Sequence, residues 1–151
     1  MKIETWSTER LSPYARELKK HEKALPKMVA ALQQWGFRIP ILVSAAGEII
    51  DGKLRYLAAV QLGMQEIPVV VADDLTPTQI RTFRLLVNRS ATWADWNDES
   101  LRIEMAELRL ALTDLSVTGF DDKELDAILL DAVASGEKDP DSVPEFREPP
   151  V

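Results

Sequence analysis

Between Lys2 and Trp6 polar and apolar residues alternate, and Ile3, Thr5 and Trp6 favour an extended chain, so the pattern predicts a short strand before the loop Leu11-Ser12-Pro13-Tyr14. From Pro26 to Trp35 the period changes. Met28, Val29, Leu32 and Trp35 fall at helical spacing, with Pro26 in the first turn and Gly36 at the stop. Ile39-Pro40-Ile41-Leu42-Val43 reads as a buried strand, Ala45-Ala46-Gly47 as a turn, and Glu48-Ile49-Ile50-Asp51 as the return strand of a hairpin. Beyond Gly52 the residues Leu54, Leu57, Ala58 and Leu62 share one helical face that ends at Gly63. Ile67-Pro68-Val69-Val70-Val71 predicts a further strand, with Pro68 implying an edge or first position because proline cannot donate to a ladder.

The second half reads as helical. Thr76-Pro77-Thr78-Gln79 has the spacing of a capping box, opening a helix that reaches about Val87. Asn97 or Asp98 can cap the next helix, whose Leu101, Met105, Leu108 and Leu112 form one apolar stripe. After the turn at Thr118-Gly119-Phe120, Asp121 or Asp122 can cap a last short helix carrying Leu125, Ile128 and Leu129. From Ser135 to Val151 prolines and charges replace the apolar pattern, which predicts a linker or tail.

Composition narrows the classes. The chain has 151 residues, 46% hydrophobic and 28% charged, which suits one folded domain with an extension. There is no cysteine, which removes disulfides, thiolate nucleophiles and Cys-based zinc sites, and the single His21 cannot build a metal site alone. No apolar run approaches the roughly 20 residues that span a bilayer, and the start MKIETWSTER has no hydrophobic signal core, so the cytoplasm is the expected location, with no membrane partner.

Charge divides the chain. The net charge is -7, but residues 1–96 hold 13 Lys and Arg against 10 Asp and Glu, whereas residues 97–151 hold 5 against 15. A mildly basic part followed by a strongly acidic one predicts separate jobs or, equally, solvated acidic helix faces.

Candidate chemistry centres on Asp51-Gly52-Lys53-Leu54-Arg55. A glycine between a strand and a helix lets the unpaired N-H groups of the helix start face an anion, and Lys53 and Arg55 add positive charge there. Arg55 offers a two-pronged fork for phosphate oxygens, Lys53 a point charge. On pattern alone, two surface cations at a helix start account for these residues at least as well. A second cluster, Arg81, Arg84 and Asn88 with Arg89 beside it, has three- and four-residue spacings that put the first three on one helix face, where they could meet one phosphate-bearing ligand or simply meet solvent. Trp93 and Trp96 suit base stacking or a helix junction. The chain contains no GxxxxGK phosphate loop, GxGxxG turn, HExxH helix or GxSxG elbow.

Read together, Pro40-Ile41-Leu42-Val43, Asp51-Gly52-Lys53-Leu54-Arg55-Tyr56-Leu57-Ala58-Ala59, Leu62-Gly63, Ile67-Pro68-Val69-Val70 and Leu86-Val87-Asn88-Arg89 resemble the ParB/sulfiredoxin-like domain over about residues 1–100. Leu75-Thr76-Pro77-Thr78-Gln79, Ala94-Asp95-Trp96, Leu115-Ser116-Val117-Thr118-Gly119-Phe120-Asp121 and Glu124-Leu125 resemble, more narrowly, the ParB-like N-terminal domain of phage and prophage DNA-modification methylases. The resemblance implies an α+β fold: a compact domain with a small mixed sheet and flanking helices, followed by a C-terminal helical extension. It implies a phosphate or nucleotide site formed by Gly52, Lys53, Arg55, Asn88 and Arg89, with Arg16 in the matching early loop and Arg84 on the adjoining helix. Its ligands would be CTP or ATP with Mg, or DNA. Lys53 stands where the methylase-linked subgroup usually has His and ParB proteins usually have Glu, so the residues leave the ligand open. Sulfiredoxin chemistry needs a cysteine that the chain lacks, and neither methylase catalytic motif is present.

The expected organisation is therefore a ParB-like domain over residues 1–96, a helical extension over 97–134 and a Pro-rich acidic linker or tail over 135–151. The expected function is a DNA-associated accessory module, the N-terminal part of or partner to a DNA methyltransferase; a homodimer is compatible with it. Two alternatives stand beside it. One is a nuclease or a nucleotide hydrolase or kinase using Asp51 and Glu48, two carboxylates three apart on a strand that would point to opposite faces. The other is an interaction adaptor whose acidic tail mimics DNA.

Overall fold

The computed structural model describes residues 1–16, 18–111 and 114–136, with side chains described as far as residue 130. The chain forms two compact units, Met1–Asp95 and a second from Trp96 onward.

In the first unit, β1 (Ile3–Ser7) leads through a short 3-10 turn and a long loop into α1 (Leu25–Trp35). The hairpin β2 (Ile41–Ser44) and β3 (Ile49–Asp51) follows, then α2 (Lys53–Gln61), β4 (Glu66–Ala72) and α3 (Pro77–Ser90). The four strands form one mixed sheet in the order β1-β4-β2-β3. β4 runs antiparallel to β1 and parallel to β2, while β2 and β3 are antiparallel with an irregularity between Leu42 and Val43.

Side-chain alternation builds the core. Ile41 and Val43 of β2 and Ile67 and Val69 of β4 all point to one face and are fully buried, as period-two geometry requires. Against them pack Ala58 and Ala59 of α2, Leu32 of α1, Trp6 and Leu11. The expected α2 face is shifted in part: Ala58, expected on it, is buried together with Ala59, while Leu54 and Leu57 are half-buried, because two small residues let the helix backbone approach the strands closely. Trp35, expected on the buried face of α1, is 52% exposed at the last helical position.

The position of Pro68 departs from the expectation of an edge strand. β4 lies between β1 and β2, and Pro68 is its third residue. The bond from Thr8 N to Gln65 O sets the phase of the β1–β4 ladder, so alternation makes Thr5↔Pro68 a non-hydrogen-bonded pair. The missing donor then faces β2 at the level where that strand has only begun, with Ile41 opposite Val69. An interior proline is tolerated because no bond is required of it.

α3 opens as its spacing predicts. Gln79 N donates to the Thr76 hydroxyl at 3.2 Å and Thr76 N donates to Gln79 Oε1 at 2.9 Å, and the helix runs to Ser90, a turn beyond the expected end. In the second unit, α4 (Asp98–Ala111) is capped by Asn97, whose Oδ1 accepts from Ser100 N, and α5 (Asp122–Gly136) by Asp121, whose Oδ1 accepts from Glu124 N. α4 packs on α5, with Met105 and Leu125 buried. α5 extends two residues past the expected start of the tail at 135; the rest of that tail, like Leu112 and Glu17, lies outside the described residues.

Candidate anion-binding site

β3 ends at Asp51 and α2 begins at Lys53, with Gly52 between them at φ 104° and ψ 21°. That left-handed conformation favours glycine, and a Cβ would sit 3.0 Å from Arg55 Nη2 and 3.1 Å from Ile41 Cγ1. No side chain caps the helix start, and the first backbone bond made there is Tyr56 N to Gly52 O. The N-terminus of α2 borders a cavity of about 370 Å³ lined by Arg16, Lys19, Lys20, Lys53, Arg55 and Arg84, with Asp51 as the carboxylate among the described lining residues.

Two of these arginines are held by the protein yet incompletely satisfied. Arg55 donates Nη2 to the Pro40 carbonyl at 3.1 Å and lies 3.7 Å from Asp51 Oδ2, while its Nε is buried with no hydrogen-bond partner. Arg84, only 3% exposed on α3, donates Nε and Nη2 to the Ile49 carbonyl and Nη2 to Glu48 Oε1 at 2.8 Å. The Tyr14 ring covers its guanidinium at 3.7 Å. Its Nη1 is buried without a partner. A buried charged donor left without an acceptor costs about 1–3 kcal/mol, so each is a place where an anionic oxygen would be stabilised.

The loop carrying Tyr14 is placed by the sheet. Ser12 N donates to Gly47 O, and Ile49 N donates to Ser12 O, both at 2.9 Å, which stitches the loop beside β3. Gly47 makes that approach possible: at φ 91° a Cβ would lie 2.1 Å from the Arg10 carbonyl oxygen.

Of the residues singled out in the sequence, Gly52, Lys53, Arg55, Arg16, Arg84 and Asn88 line the same cavity. Asn88 donates its amide to the Arg84 carbonyl. Arg89 is elsewhere, exposed and donating to the Thr92 hydroxyl. Arg81 is separated from Arg84 and Asn88: it lines a neighbouring cavity of about 470 Å³ with Glu48, Asp73, Ser44 and Ile80, and Tyr14 lines both cavities. The two candidate catalytic carboxylates are likewise divided, Asp51 in the first cavity and Glu48 in the second. Trp96 packs its ring 5.6 Å from that of Phe120 within the second unit. Sequence reasoning missed Tyr14, Lys19, Lys20 and His21; their signal was the cationic run before α1 in an acidic protein. Among the described residues no group of three or more His, Cys, Asp or Glu side chains could hold a metal ion, and no helix is long and apolar enough to cross a membrane.

Comparison with known proteins finds two sequence relatives and a solved structure of like fold. Over 80 residues the chain is 36% identical to the ParB-like nuclease domain-containing protein YnaK of Escherichia coli, covering 52% of this chain and 92% of that protein. It is 32% identical over 83 residues to a chromosome-partitioning protein of Thermus thermophilus, covering 52% of this chain but 30% of that one. A C-terminally truncated chromosome-partitioning protein ParB of Caulobacter crescentus, solved with CTP-γ-S, has the same fold at a TM-score of 0.70 and 18% identity, over 91% of this chain and 87% of that one. Residues 99–151 match the ParB-methyltransferase HTH domain family.

Proposed function

This chain belongs to the ParB/sulfiredoxin-like family, and on that premise we propose that its first unit is a DNA-associated accessory module whose Gly52 cavity holds the phosphate groups of a nucleotide or of DNA. The observation that carries the reading is the pair of buried guanidinium donors without acceptors, Arg55 Nε and Arg84 Nη1, on one cavity at a helix N-terminus. A phosphate there would accept from both, at the positive end of α2. Among the described lining residues, six cationic side chains against one carboxylate, in a protein of net charge -7, concentrate positive potential at this point. That excess suits a ligand with several negative charges, and a nucleoside triphosphate is the first to try, because the Caulobacter ParB of the same fold was solved with CTP-γ-S. A magnesium ion arriving with the phosphates would find Asp51 as the carboxylate of the described lining.

The mechanism is positioning. Phosphate contacts from Gly52, Lys53, Arg55, Arg16 and Arg84, with Asn88 beside them, would fix the ligand without breaking a bond. Cytoplasmic DNA with its methyltransferase is the proposed setting, supported by the match of residues 99–151 to the ParB-methyltransferase HTH domain. Cleavage is the rival. It is weakened by the division of the carboxylates, since Glu48 is bonded to Arg84 and faces the other cavity. Metal-dependent cleavage of DNA, or release of phosphate from CTP, abolished by Asp51→Asn would replace the binding reading.

The test is isothermal titration of the chain with CTP, ATP and a short DNA duplex at two salt concentrations. Binding of at least one that weakens with salt is expected; no heat with any of them overturns the proposal.

A further inference from the structure

The parallel strands β2 and β4 end side by side, with Ser44 of one opposite Ala72 of the other. From those ends the chain leaves in two directions: β2 turns through Ala45 and Ala46 into β3, and β4 passes through Asp73 into α3. Connections that part in this way leave a crevice beyond the carboxyl ends of the strands, the place where open sheets with parallel strands take ligands. The cavity of about 470 Å³ lies there, lined at the strand ends by Ser44, Ala45 and Ala72 and at the start of α3 by Leu75, Pro77 and Ile80. Its volume falls within the roughly 300–1,000 Å³ of small-molecule pockets.

Charged side chains interrupt these largely apolar walls at Glu48, Asp73 and Arg81. Glu48 is committed, since its Oε1 accepts from Arg84 Nη2 at 2.8 Å. Asp73 and Arg81 are not: among the described residues neither side chain forms a hydrogen bond or an ion pair, with the other or with any further group. One carboxylate and one guanidinium therefore border an apolar cavity with their charges unanswered.

We propose that this cavity is a second binding site, and that it takes a free α-amino acid with an apolar side chain. An ammonium group answers Asp73, a carboxylate answers Arg81, and a branched or aromatic side chain meets Leu75, Pro77, Ile80 and the Tyr14 ring. Asp73 and Arg81 are exposed, so either ion pair alone adds little, and selectivity comes from both acting with the apolar body. Phosphate groups are the poorer occupants, because Glu48 and Asp73 place carboxylates on the lining where the Gly52 cavity gathers cations. The site does not rest on what the Gly52 cavity binds.

The test follows the backbone amides of the full, isotope-labelled chain by NMR during titration with L-leucine and L-phenylalanine. Saturable shifts at millimolar concentration are expected at Ala45, Ala46, Leu75 and Ile80, larger than those at Gly52 and Lys53. Three controls take the ligand apart: glycine keeps both charges without the apolar body, isopentylamine keeps the body with the cation alone, and isocaproate keeps it with the anion alone. Each should bind several-fold more weakly than leucine. Asp73→Asn and Arg81→Gln should each weaken leucine binding several-fold; both positions are exposed, and the same spectra show that each variant is folded. No saturable shift with either amino acid, shifts centred on the Gly52 corner, any control equal to leucine, or parental affinity in either variant overturns the proposal.

Discussion

The guanidinium of Arg84 lies 3.7 Å from the centre of the Tyr14 ring, although 70 residues separate them in sequence. The ring covers one face of the cation, Glu48 and the Ile49 carbonyl take Nε and Nη2, and what remains, Nη1, has no partner among the described residues. The protein thus orients a buried arginine on a cavity and leaves part of its hydrogen-bonding capacity unused.

Arg84→Ala removes the partner of Glu48 and of a buried carbonyl, so it should destabilise the first unit by about 2–4 kcal/mol, measured by urea unfolding. Arg84→Lys should recover part of the stability but little ligand binding, because an ammonium cannot serve Glu48, Ile49 and a phosphate in the fork geometry of a guanidinium. Tyr14→Phe keeps the ring and should match the parent in both assays. Equal binding by the parent and R84K would remove Arg84 from the site.

Gly52→Ala should cost about 1–3 kcal/mol, since a non-glycine residue is strained at φ 104° and its Cβ would press on Arg55 and Ile41. It should also weaken phosphate binding at least tenfold, because the displaced atom is Arg55 Nη2 itself. Thermal unfolding and titration with CTP or duplex read the two effects separately; a destabilised protein with parental affinity would argue against the corner as the phosphate site.

Among the cations, position rather than charge should matter. Arg16→Gln and Lys19→Gln, both on the cavity, are expected to reduce binding several-fold and to lessen its salt dependence. Arg81→Gln and Arg89→Gln remove the same charge away from it and should change affinity less than twofold at 150 mM salt, where screening acts within about 8 Å. Equal losses from all four would point to a diffuse electrostatic surface.

Thr76→Ala removes one half of the capping box and should lower stability by about 1 kcal/mol in urea unfolding. Ligand affinity should remain at the parental value, which makes this variant the control for stability loss alone. A larger drop in affinity than in stability would mean that the start of α3 couples to the cavity.

Much of the fold could be read before it was seen, for reasons visible in particular residues. Thr76 with Gln79, Asn97 with Ser100 and Asp121 with Glu124 are partners three residues apart, so the signal for each helix start lies inside one turn. The alternation of Ile41 with Val43 and of Ile67 with Val69 likewise reports a buried sheet face directly. Helix faces were read less well: the α2 pattern placed Leu54 and Leu57 beside Ala58 and left out Ala59, which is buried with it, because hydropathy does not tell which side a strand approaches closely.

The site was half legible. The corner Asp51-Gly52-Lys53-Leu54-Arg55 is contiguous, and both its geometry and its resemblance to a family are local properties of the chain. Arg84 and Asn88 were expected beside that corner only through the family resemblance; tertiary structure alone decided that Tyr14 joins them, that Arg81 and Glu48 face a different cavity, that Arg89 lies apart, and that the strand with Pro68 lies inside the sheet. Those outcomes depend on strand order and on a loop tied to β3 by Ser12. Caps and periodicity act over three or four residues, whereas contacts across tens of residues are set by how the sheet closes its core, and no short-range pattern carries that information.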